Sequence, residues 1–149
     1  MFAPKNILVP TDFSKYADAA LKIAVDMAVT YDANIYLLHA IDNTISRKSI
    51  DYGIRYEEIK QLEENSIVAS TERLKKQAAA IIKNDKIKVV FDTKLGDPAE
   101  RILKEQKAKK VDLIVIASHG KSGIVRYLMG SVATKITKSA KCPVMLVKL

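Results

Sequence analysis

Tryptophan is missing from this chain, cysteine occurs once, histidine occurs twice, and no apolar run approaches the length of a bilayer span. A membrane helix needs about 20 predominantly apolar residues, so membrane insertion is not expected. With Cys142 alone no internal disulfide can form, which fits a reducing cytoplasm. One cysteine and two histidines also argue against a zinc-type centre. The three phenylalanines and six tyrosines are scattered. The lysines therefore lack the stacking partners of a nucleic-acid surface, and nucleic acid is not an expected partner. The first residues, Met1-Phe2-Ala3-Pro4-Lys5, lead straight into an apolar strand without a signal-peptide core. Charge of one sign is missing too. Residues 113–149 contain no acid, yet carry Lys121, Arg126, Lys135, Lys138, Lys141 and Lys148.

What is present reads as a globular α/β chain. Hydrophobic residues make up 48% and charged residues 28%, with a formal net charge of +8. The length suits one domain over 1–149 with a real core. Asn6-Ile7-Leu8-Val9, closed by Pro10, predicts a first strand, and Thr11-Asp12-Phe13-Ser14 supplies turn and N-cap chemistry. Ala17, Ala20, Leu21, Ala24, Val25 and Ala28 then fall on one helical stripe. A strand follows at 34–40. Residues 41–56 are polar and aperiodic, and predict a long loop, either a lid or a mobile connection. A helix over 57–83 turns Ile59, Leu62, Ile67, Leu74, Ala78, Ile81 and Ile82 inward. Residues 86–94 alternate as a strand, and Asp97-Pro98 opens a helix to about 109. A strand at Leu113–Ala117, a helix over 131–140 and a strand over 144–148 complete the pattern. Strands alternating with helices predict a Rossmann-like fold, a five-stranded parallel sheet with helices on both faces.

The chemistry gathers where strands end. In a parallel sheet, Pro10-Thr11-Asp12, Ala40-Ile41-Asp42 and Ala117-Ser118-His119-Gly120 share one rim. If the first and fourth strands are neighbours, a crevice opens between them. Asp12 is suited to ribose hydroxyls or a base edge, and equally to capping the next helix. Ser131 reads as the N-cap of a helix whose positive end faces the rim. Its N–H groups, with those of Gly120, Lys121 and Gly123, would cradle an anion, and Lys121 would neutralise phosphate charge. His39 lies inside an apolar run and reads as a packed residue, whereas His119 lies at the rim. Cys142 reads as buried rather than reactive. Met27, Met129 and Met145 read as core.

Three stretches together resemble universal stress proteins: Ile7-Leu8-Val9-Pro10-Thr11-Asp12-Phe13-Ser14, Leu37-Leu38-His39-Ala40-Ile41-Asp42, and Ser118-His119-Gly120-Lys121-Ser122-Gly123 with Gly130-Ser131 and Cys142-Pro143-Val144. The likeness spans nearly the whole chain. It extends to the ATP-binding branch of the family, which has a glycine, two residues, a glycine, nine residues, then glycine and serine or threonine. Here Gly120 and Gly130-Ser131 fit, and Ala117 replaces the first glycine. One added methyl predicts weakened or slightly shifted binding rather than loss. The resemblance implies ATP as ligand, with adenosine against Pro10, Asp12, Ala40 and Ala117. It places the triphosphate against Gly120, Gly130, Ser131 and Val132. A divalent cation, magnesium or manganese, would accompany the phosphates. The resemblance also implies a homodimer formed through the C-terminal strand, Val144 to Val147, and a role in stress response.

Three functional readings stay open. The chain lacks a GxxxxGK[ST] loop, an acid pair beside the glycine turns and a Ser-His-Asp arrangement, which favours nucleotide binding with at most slow hydrolysis. A nucleotide-using enzyme such as an ATPase would need His119 or Asp12 to act on the reaction. A nucleotide-independent interaction protein would rest on the apolar last strand alone.

Overall fold

The computed structural model describes residues 1–120 and 129–148. The chain order is β1 (Asn6–Pro10), α1 (Lys15–Tyr31), β2 (Asn34–Ile41), α2 (Thr44–Lys48), a 3-10 turn (Ser49–Tyr52) and α3 (Tyr56–Ile81). It continues with β3 (Val89–Leu95), α4 (Pro98–Ala108), β4 (Leu113–Ala117), α5 (Ser131–Ser139) and β5 (Val144–Val147). All pairings are parallel, in the order β3-β2-β1-β4-β5. This is the expected α/β architecture.

Residue alternation along the strands divides the core into two layers. Ile7, Val9, Ile35, Leu37 and Val115 pack against Ala20, Leu21 and Ala24 of α1 and Leu74 and Ala78 of α3. Leu8, Leu38, Ile114 and Ile116 turn the other way, onto Ala99 and Ile102 of α4 and Ala133 and Ile136 of α5. β1 and β4 are covered on both faces, which explains why they read as unbroken apolar runs. Truncating a fully buried side chain such as Ile114 to alanine costs about 2–5 kcal/mol.

Two expectations are corrected. Residues 41–56 are not a plain loop, because α2 and the 3-10 turn occupy most of them. Asp42 starts that segment: Thr44 N and Thr44 Oγ1 donate to Asp42 Oδ1 at 3.0 and 2.6 Å. These bonds hold the Asp42 carboxyl below its ordinary value. In α3, Leu62 is 59% exposed rather than inward, and Glu63 takes the buried place beside it. Glu63 is buried as a carboxylate held by Arg47, whose Nε and Nη2 both lie 3.0 Å from its oxygens.

Candidate functional site

β1 and β4 are adjacent, and the chain leaves them in opposite directions across the sheet, toward β2 and toward β5. At their carboxyl ends lies a cleft of about 260 Å3. Pro10, Thr11, Asp12, Ala40, Ala117, Ser118, His119, Gly120, Gly130, Ser131 and Val132 all line it. Lys121 and Gly123 lie outside the described residues. The sequence reading missed the cleft's apolar wall, formed in part by Leu38, Pro98, Ile102 and Ile116. The inward stripe of the helix that Pro98 opens marks Ile102 as buried, and nothing in the sequence sets it apart from other core residues.

The turn after β1 is tightly constrained. Ser14, not Asp12, is the N-cap of α1, accepting from Ala17 N at 3.2 Å. Asp12 sits two residues earlier, its Oδ1 accepting from Ser14 N at 3.0 Å. Between them Phe13 adopts φ 65°, a left-handed conformation that costs a bulky residue about 1–2 kcal/mol. Its N–H donates to Thr11 Oγ1 at 3.0 Å, and its ring lies 4.6 Å from that of His39. A further hydrogen bond of this corner joins His39 Nδ1 and Thr11 O at 2.8 Å. His39 is therefore packed and hydrogen-bonded, as expected.

On the β4 side, Ser118 is buried, and its Oγ lies 2.9 Å from His119 Nδ1. Ser118 N donates to Val147 O, and Gly130 N donates to Ser118 O at 2.7 Å, which brings the start of α5 against the end of β4. The N-cap of α5 is Gly130 rather than Ser131, and among the described residues no side chain caps its start. Gly130 has φ −59° and Gly120 likewise avoids the left-handed region, so neither is glycine for the sake of a turn. Space is the reason. A Cβ on Gly120 would stand 2.8 Å from Asp12 Oδ2, and one on Gly130 would stand 3.4 Å from Ser118 O. Ala117 is 9% exposed, packs within the α1–α3 layer and borders the cleft.

The remaining candidates separate from the site. No residue of 41–56 lines the cleft, so the segment expected as a lid does not cover it. Cys142 is half-buried, and burial followed by the nearby Asp112 pushes its thiol up, away from the reactive thiolate. Met27 and Met145 pack against one core layer and Met129 against the other. Among the described residues, no group of three or more His, Cys, Asp or Glu is placed to hold a metal ion. No described helix is long and apolar enough to cross a membrane.

Residues 4–148 match the family model of the universal stress protein family. Universal stress protein MJ0531 of Methanocaldococcus jannaschii is 32% identical over 144 residues, covering 97% of this chain and 82% of that protein. The solved structure of MJ0577 from the same organism shares the fold with TM-score 0.83 and 31% identity, covering 97% and 96% of the two chains. A universal stress protein solved in complex with cAMP has TM-score 0.69 at 20% identity, covering 99% and 98%.

Proposed function

The chain belongs to the universal stress protein family, and from that premise we propose that it is an adenine-nucleotide-binding regulatory protein, active as a homodimer and hydrolysing ATP slowly at most. One observation carries this reading. Every described residue that the sequence assigns to the nucleotide lines a single cleft at the β1/β4 crossover.

The residues fit such a ligand in chemical type. The apolar wall of Leu38, Ile102 and Ile116 suits a base. The Asp12 carboxylate accepts hydrogen bonds from sugar hydroxyls and repels phosphate, so the phosphates belong at the other end, with Gly130, Ser131 and Val132. There the uncapped α5 offers N–H donors and the positive end of its dipole. Pro10, Thr11 and Ala40 would border the nucleoside beside Asp12, and Ser118, His119 and Gly120 would line the path between the two ends. The family likeness extends to a protein crystallised with cAMP, which supports an adenine nucleotide as the ligand class. Magnesium or manganese would enter with the phosphates and draw on the Ser131 hydroxyl at that end. Asp12 is the only carboxylate among the described residues of the cleft, which supports binding over turnover.

Calorimetric titration with ATP, ADP and AMP in the presence of magnesium tests this, on protein stripped of co-purified nucleotide. ATP should bind most tightly, and Gly130→Val, whose branched side chain would meet Ser118 O and His119 Cα, should abolish binding while the fold persists. Absence of binding at millimolar nucleotide would overturn the reading in favour of a nucleotide-independent assembly protein.

A further inference from the structure

The turn that presents Asp12 is held from behind by a helix that does not touch the cleft. Thr11 is 6% exposed, and its hydroxyl oxygen accepts two hydrogen bonds, from Phe13 N and from Gln77 Nε2, both at 3.0 Å. Gln77 Nε2 also donates to Asp18 Oδ1 at 2.7 Å, in the first turn of α1. One carboxamide of α3 thus bridges the end of β1 to the start of α1, spanning the strained Phe13 between them. Arg73, one turn earlier on α3, places its guanidinium 4.0 Å from the centre of the Phe13 ring. Neither Gln77 nor Arg73 lines the cleft.

We propose that Gln77 is a positioning residue for the ligand cleft: through Thr11 it holds the left-handed Phe13 turn that sets Asp12 against Gly120. The tolerance at that point is small, because Asp12 Oδ2 lies 2.8 Å from where a Gly120 side chain would begin. A strained backbone persists only where its surroundings over-determine it, and here the surroundings are Gln77, Arg73 and His39. Freed of Gln77, Thr11 keeps the Phe13 bond but loses its tie to α3, and the turn can relax toward ordinary φ values and swing Asp12 away. The inference rests on the nucleotide-binding reading for its functional consequence, and on the hydrogen bonds alone for the turn.

The test replaces Gln77 by the similarly shaped Gln77→Met and takes two readings. Amide exchange in the ligand-free protein should accelerate at Phe13 and Ser14 by roughly tenfold or more relative to the core strands, because local opening becomes easier. ATP affinity should fall by roughly five- to tenfold, the usual reach of a residue that acts without touching the ligand. Thr11→Val, which also removes the bond from Phe13 N, should weaken binding at least as far, and Gln77→Met should add little to it, since the Thr11–Gln77 link is already gone. Asp18→Ala, which removes the second anchor of the carboxamide, should act in the same direction and serves where Gln77→Met fails to fold. Unchanged exchange at Phe13 and Ser14 would overturn the positioning role whether or not nucleotide binds. Faster exchange with unchanged ATP affinity would overturn its bearing on the cleft. A wild-type protein that binds no nucleotide would instead overturn the functional reading, and the exchange data would still decide the role of Gln77 in the turn.

Discussion

Glu105 lies on the inward face of α4 at 8% exposure, opposite Asp92 of β3. Burial first, and then the facing carboxylate, push its carboxyl above the ordinary 4.5, while Lys94 and Lys109 pull against them. Lys94 Nζ stands 3.8 Å away, too far to neutralise the site fully. A raised native value means that the folded state keeps a proton the unfolded chain has released. Stability is therefore full below pH 4.5 and falls as pH rises through the native value. Glu105→Gln, permanently neutral, should melt higher than wild type at pH 7. The difference should vanish near pH 4, where wild type is protonated too; a scan of melting temperature against pH checks both. The identity of Gly120 and Gly130 was legible at this scale, but their reason was not. Sequence suggests tight turns, whereas the structure uses the missing side chains to let three backbone segments close together.

Among the elements, strands read most faithfully, because continuous burial leaves an unmistakable apolar run. β4 matches residue for residue. Helix starts were less legible. A Thr-Asp-Phe-Ser stretch offers three capping side chains, and the local backbone geometry decides which one works: Ser14 caps while Asp12 braces the turn. In α3 the spacing rule selected Leu62, yet the inward row is Ile59, Glu63, Ile67, Thr71, Leu74 and Ala78. Glu63 could join it only because Arg47 arrives from a segment with no clear period of its own. That pairing fastens α2 to α3. Arg47→Met should loosen residues 44–52, and limited proteolysis should cut there several times faster while α1 and the sheet resist. Unchanged cleavage would show that the segment is held by other contacts.

For the whole molecule, the parallel architecture was legible because alternating elements and right-handed crossovers leave few arrangements, whereas the neighbouring of β1 and β4 stood only as a condition that the observed strand order fulfils. The cleft followed from that order. Its apolar wall did not, since Leu38, Ile102 and Ile116 look in sequence like any other core residues. β5 stands at one edge, with Met145 and Val147 packed toward one core layer and Val144 and Leu146 toward the other. All four are only half-buried, which supports the proposed pairing of two copies along this strand. Sedimentation of wild type should give a dimer and Val147→Lys a monomer, whereas a wild-type monomer would remove the idea.

The opposite margin of the sheet is β3, and it carries Asp92 and Lys94 where β5 carries only Val144, Met145, Leu146 and Val147. Two copies joined along β5 by a two-fold axis leave a β3 strand outermost at each end. Asp92 and Lys94 are engaged with Glu105 of α4, so that border offers an incoming chain no continuous apolar strand. Under the proposed pairing the unequal margins would make association self-limiting: the sheet would double along β5 and stop at β3.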